Sequence, residues 1–104
     1  VREWIVMVRQ SDVWRDVGVV RLLELDTSRP EIGVYVGEVP LWGSGIGTEA
    51  VEFALDWLRE EGYESASARI LERNEASIEL FERVGFTRVG DAREDEGEYR
   101  ISFD

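Results

Sequence analysis

At 104 residues, with 43% hydrophobic and 11% aromatic side chains, the chain has the size of one domain with a real core and is too apolar for disorder. A net charge of −11 weighs against nucleic acid, whose phosphates need a basic surface, and favours a cationic substrate such as an amine; solubility or adaptation to salt or heat would account for the same charge. Cysteine and histidine are both absent, which excludes disulfides and thiolate nucleophiles and removes the usual general base and the commonest metal ligand, so no metal is expected.

No run approaches the roughly 18 apolar residues of a membrane span, so a soluble, cytoplasmic protein with no membrane partner is expected. The chain begins at Val1 rather than Met, consistent with a fragment, a processed product or an unusual start. Trp4 to Val8 is a β-rich apolar run. Val17 to Leu25 is a second, apolar on both parities, which predicts a strand covered on both faces. Asp12 to Asp16 between them is short enough for an antiparallel hairpin. After the turn cluster Asp26-Thr27-Ser28-Arg29-Pro30, residues Glu31 to Val36 give a third strand, with Gly33 and Gly37 marking a bulge or a close approach to the backbone.

Pro40 closes that strand, and Trp42-Gly43-Ser44-Gly45-Ile46-Gly47 follows, running into a 3.6-residue period. From Ile46 to Glu61, Glu49, Glu52, Asp56, Arg59 and Glu60 share one stripe, while Ile46, Ala50, Phe53, Ala54, Trp57 and Leu58 cover the other side. Glycines let a backbone approach a ligand, and a helix N-terminus offers unpaired N–H groups to an anion. The loop therefore suits a pyrophosphate, although a Gly-rich turn is also an ordinary tight connection. Gly62 stops the helix. Glu64 to Glu72 reads as a strand with small Ala66 and Ala68. Asn74 is placed as the N-cap of a helix carrying Ile78, Leu80, Phe81 and Val84 inward, and Gly85 ends it. Thr87 to Val89 is a short strand, Gly90 to Gly97 a charged connection, and Tyr99, Ile101 and Phe103 mark a last strand. The order β-β-β-α-β-α-β-β predicts an α+β domain around a mixed sheet.

Two separated segments resemble the GNAT superfamily of acetyl-CoA-dependent N-acetyltransferases. Trp42-Gly43-Ser44-Gly45-Ile46-Gly47-Thr48-Glu49-Ala50 looks like its pyrophosphate loop, with Trp42 where Arg or Gln is usual. That version is similar to the branch acting on ribosomal-protein N-termini and polyamines. Asn74 to Phe86 resembles the family's Asn-x-x-Ser/Ala-hydrophobic-x-Leu-Tyr/Phe-x-x-x-Gly-Phe segment. The resemblance implies a GNAT-like fold with a mixed, mostly antiparallel sheet flanked by helices. Residues 1–104 form a single truncated domain on this reading, lacking the usual first strand and first two helices. An acceptor side left open in that way predicts a homodimer.

The resemblance also implies acetyl-CoA as cosubstrate and an amine as acceptor, with direct transfer and no covalent enzyme intermediate. The pantetheine arm would pair with backbone at Val34, Tyr35 and Val36, and the amides of Trp42, Gly43, Ser44, Gly45, Ile46 and Gly47 would cradle the pyrophosphate. Asn74 would reach the arm, and Phe81 would line it. Glu31, eleven positions before Trp42, has a spacing similar to the base glutamate of the histone-acetylating branch; a solvated strand-edge carboxylate is the plain alternative. Phe81 stands where a general-acid tyrosine is usual, and Arg69 where another base is found, leaving Tyr35 and Tyr99 as unplaced donors. A binding module that holds CoA or assembles without turnover, and a dimerisation domain keeping only the fold, stay open beside the enzyme.

Overall fold

The computed structural model describes residues 1–36 and 45–103. Its first two strands, β1 (Arg2–Gln10) and β2 (Val13–Leu23), form an antiparallel hairpin. The connection is tighter than the expected Asp12–Asp16: Ser11 and Asp12 alone turn the chain, both at positive φ (49° and 65°). That geometry matches the twist of the flanking strands, and Asp tolerates it without glycine. Arg9 closes the turn with an ion pair to Asp12 at 3.0 Å. The register shifts between Val6 and Met7. There β2 carries one extra residue, as a bulge does.

Strand β3 (Glu31–Val36) pairs antiparallel with β2, then α1 (Ile46–Glu60) leads to β4 (Ser65–Leu71) and α2 (Glu75–Val84). The two last expected strands are longer than expected, β5 (Thr87–Arg93) and β6 (Glu96–Ser102), and form a hairpin that takes up most of the expected Gly90–Gly97 connection. All of β5 except the half-buried Ala92 is exposed, so this edge strand shows little apolar alternation; charges there also protect the edge from pairing with another chain. Among the described residues the sheet order is β1-β2-β3-β4-β6-β5, with β3–β4 its single parallel neighbour pair.

Both helices contribute to one core on one sheet face. Val20, Leu22, Ile32, Ala66, Ala68, Ile70 and Tyr99 from the strands meet Val51, Ala54, Leu55, Leu58, Leu80 and Phe81 from the helices. The acidic stripe of α1 is exposed as expected, but its buried centre is Val51 and Leu55, with Phe53 on the rim at 53% exposure. There Trp4 meets the Phe53 ring edge-on at 5.2 Å and the Trp57 ring at 5.6 Å. Past the bulge strand β2 is covered fully on the helix side only: Val20 and Leu22 are buried, whereas Val19 and Leu23 on the other parity are half-buried, and Val17, the extra residue of the bulge, is buried. Its second apolar parity therefore lies on a sheet face without a helix among the described residues.

The ends of α2 follow from its sequence. The N–H of Ser77 donates to Asn74 Oδ1 at 3.2 Å, the capping bond expected of Asn. At the other end Gly85 (φ 122°) and Phe86 donate backbone N–H groups to the Phe81 carbonyl, and Phe86 packs edge-on against the Phe81 ring at 5.0 Å. This is the glycine C-cap with its hydrophobic contact.

Candidate functional site

The site follows from how β3 and β4 part. They share a single aligned pair, Glu31 with Ser67, beside the bond from Ser67 N–H to the Pro30 carbonyl at 2.9 Å. Beyond that point no ladder joins them among the described residues. Backbone N–H and C=O groups facing such a gap must find other partners or water.

A cleft of about 220 Å³ opens in the fork. Ile32, Gly33 and Val34 line it from β3, and Arg69, Ile70 and Leu71 from β4. Asn74, Ser77 and Phe81 enter from α2, and Glu96 from the start of β6. The lining draws on both sheet parities, because buried Ile32 and Ile70 alternate with exposed Gly33 and Arg69. The gap thus connects the helix side with the open side. Larger hollows among the described residues lie elsewhere, one of about 590 Å³ by Arg29, Arg59 and Phe103, and another of about 540 Å³ between β1 and α1. Neither includes a residue of the fork or of α2.

At the fork, Arg69 grips Glu31 with both arms, Nε to Oε1 at 2.8 Å and Nη2 to Oε2 at 3.2 Å. The Glu31 side chain is 16% exposed and that of Arg69 42%. The hydrogen bond and the charge of Glu31 raise the Arg69 pKa above its ordinary value, with smaller contributions from Glu96 and Glu24, while burial opposes them. Bidentate pairing of this kind fixes geometry as well as charge. Both Glu31 oxygens are thereby engaged.

The expected residues separate into groups. Val34, Asn74 and Phe81 meet in the cleft, whereas Glu31 does not line it and touches it only through its pair with Arg69. Asn74 is the N-cap as well. Tyr35 is 63% exposed and Tyr99 is buried in the core, and neither lines the cleft. The backbone of Val36 pairs with Gly18 on β2. Gly45, Ile46 and Gly47 form the start of α1, with Gly45 as N-cap at φ 88°. Trp42, Gly43 and Ser44 lie outside the described residues. Glu96 escaped the sequence reading because it fell in a polar stretch with no motif; its pairing with Leu71 is what brings it to the cleft. Among the described residues no group of three or more acidic side chains is arranged to hold a metal, and no helix is long and apolar enough to cross a membrane.

The arrangement offers a narrow slot between strands, a helix N-terminus after the first of them, and polar side chains at the fork. A family model for an acetyltransferase (GNAT) domain matches residues 1–87. An uncharacterized protein of Methanocaldococcus jannaschii is 44% identical over 100 residues, which is 96% of this chain and 21% of that protein. The crystal structure of a domain from the same organism superposes with a TM-score of 0.94 at 44% identity, covering 97% of this chain and 66% of that one. The ribosomal-protein-S5-alanine acetyltransferase of Vibrio fischeri shares the fold at a TM-score of 0.76 and 21% identity, over 86% of this chain and 56% of its own. The chain thus spans about a fifth of the curated relative and just under two thirds of the archaeal domain. With the match extending over most of its length, the chain belongs to the GNAT acetyltransferase family.

Proposed function

We propose that the protein moves an acetyl group from acetyl-CoA to a primary amine, such as a protein N-terminus, a polyamine or a small amine, by direct transfer. The observation that carries this is the fork: β3 and β4 part after one aligned pair, and a cleft between them is lined by Val34, Asn74, Ser77 and Phe81. The fit to acetyl-CoA is physical. A pantetheine arm is thin and carries amides, and the β3 edge at Gly33 to Val36, free of a ladder to β4, can pair with it as with an added strand. Asn74 and Phe81 would flank the arm. The first amides of α1 at Ile46 and Gly47, with the loop residues Trp42 to Ser44, would meet the pyrophosphate, where the helix dipole favours an anion. Acetyl-CoA supplies the activated acyl carbon; the chain orients it and opens its far side to an amine.

A net charge of −11 supports a cationic acceptor through long-range attraction. Exposed Ile5, Met7, Val13 and Trp14 on the first hairpin support a homodimer, and dependence on acetyl-CoA supports a cytoplasmic setting. Glu31 as the base would have to leave Arg69, since both its oxygens are spoken for. That pair, with Phe81 in place of a tyrosine, favours the second reading, a module that holds CoA without turnover. Titration calorimetry with acetyl-CoA, followed by thiol release across a panel of amines, tests both. Binding with turnover supports the enzyme, binding without turnover the module, and no heat refutes either.

A further inference from the structure

We propose that Glu96 is the group that meets the acceptor's ammonium in this cleft and takes its proton, a role that rests on the cleft being an acetyl-transfer site. Glu96 opens β6 and pairs with Leu71, as Glu98 pairs with Arg69. It alternates with Gly97 and Tyr99, which are buried, so it belongs to the sheet face away from the helices.

Its carboxylate is in an unusual state for a folded protein. Oε1 is buried and accepts no hydrogen bond, although the side chain is 19% exposed overall. The Arg93 guanidinium stands 3.9 Å from that oxygen, beyond hydrogen-bond reach, and is itself 73% exposed. A buried acceptor without a donor is costly and calls for an explanation, an absent ligand being one. Arg69 is the cation of the cleft, and Glu31 occupies it with two hydrogen bonds, while Glu96 and Glu24 act on it only through charge. Nearby Glu98 is held by Arg100 at 2.9 Å. The cleft therefore contains a carboxylate oxygen that a second donor, carrying positive charge, would satisfy.

The two sides of the fork divide the labour. Asn74, Ser77 and Phe81 approach from α2 on the helix side and suit the cofactor arm. Glu96 approaches from the open side, where an amine would arrive. The carboxylate accepts one proton from the ammonium nitrogen, whose freed lone pair attacks the thioester carbon. The C–N bond forms and the C–S bond breaks with its electron pair leaving on sulfur. The second nitrogen proton goes to that sulfur, CoA departs as the thiol, and Glu96 returns its proton to water. Proton transfer by a placed carboxylate contributes about 10²–10⁴-fold to rate.

The test uses the 104-residue chain and n-butylamine as probe. Carbon-detected NMR of the Glu96 carboxyl should shift saturably as the probe is added, and Glu96→Gln should weaken probe binding at least tenfold. The same variant should keep acetyl-CoA affinity within twofold and lose at least 100-fold in thiol release, with its melting temperature unchanged or raised. Unaltered probe affinity in Glu96→Gln, or a carboxyl signal indifferent to the probe, overturns the assignment while leaving the acetyl-transfer reading intact. Lost acetyl-CoA affinity with normal probe binding also overturns it, and assigns the oxygen to a pantetheine amide. Absence of acetyl-CoA heat with the unaltered chain refutes the acetyl-transfer reading, and the proton-acceptor role falls with it.

Discussion

Removing either partner of the Glu31–Arg69 pair should loosen the fork in a measurable way. The pair is bidentate, with Glu31 largely buried and Arg69 less than half exposed. Exposed ion pairs contribute about 0.2–1 kcal/mol, and hydrogen bonds to charged groups about 1.5–3 kcal/mol. A half-buried bidentate pair lies between them, so a coupling energy of about 1–1.5 kcal/mol is expected from a double-mutant cycle. Arg69→Met keeps the aliphatic stem but strands a carboxylate that water barely reaches, at a cost of about 2 kcal/mol. Glu31→Gln retains one acceptor and should cost about half as much. Urea unfolding of the four proteins gives the cycle, and thermal melts should move by about 4–8 °C per kcal/mol for a domain of this size. A coupling within about 0.3 kcal/mol of zero would refute the reasoning. The same variants address catalysis. Glu31→Gln should weaken acetyl-CoA binding several-fold if the pair sets the width of the fork. If Glu31 is instead the base, turnover collapses with acetyl-CoA affinity untouched.

Asn74 is assigned two jobs that substitution can separate: Asn74→Ala should lose about 1 kcal/mol through the vacated cap together with acetyl-CoA affinity, whereas Asn74→Ser keeps the cap and the stability but not the reach into the cleft. Phe81→Tyr places a phenol where the family resemblance expects a general acid, and thiol release should rise about tenfold or more, read in the same assay, at a stability cost near 1–2 kcal/mol for burying the hydroxyl; an unchanged rate would show that the cleft does not present the ring to sulfur. The hydrogen bonds of Glu31 to Arg69, and of Glu72 and Asp91 to Arg88, raise both arginine pKa values. A raised cationic pKa gives stability that is fully present below the unfolded value and lost only as pH climbs through the folded one. Unfolding free energy measured across the neutral and mildly alkaline range should therefore show no loss from either arginine.

The parts of the fold legible in the sequence were those with a local cause. Alternation placed β3, a 3.6-residue period placed α1, and Asn74 and Gly85 bounded α2 because capping chemistry acts within one turn. Strand β5 was legible only as far as Val89, for a physical reason: as an exposed edge it buries almost nothing, so its side chains carry little apolar rhythm. The covering of β2 was misread for the converse reason. Its second apolar parity is a true feature of the residues, but nothing in a strand's own pattern says whether a helix lies over that face.

The candidate site shows the same division at a longer range. Asn74 and Phe81 entered through the segment that resembles the family's second motif, and Glu31 through a spacing to Trp42 similar to that of the histone-acetylating branch. Arg69 entered only as an unsuitable base, and its grip on Glu31 crosses between β3 and β4, 38 positions apart in the chain. Glu96 reaches the cleft only because β6 inserts between β4 and β5, turning the last hairpin so that Leu71 faces Glu96 and not a residue of β5. Alternation can announce a strand but cannot name its neighbour, and strand order is settled by tertiary burial. Glu31 therefore gains its hold on Arg69, and Glu96 its place in the cleft, through sheet topology alone. A search by motif spacing would find the cofactor side of this cleft and overlook the side on which an acceptor would be deprotonated.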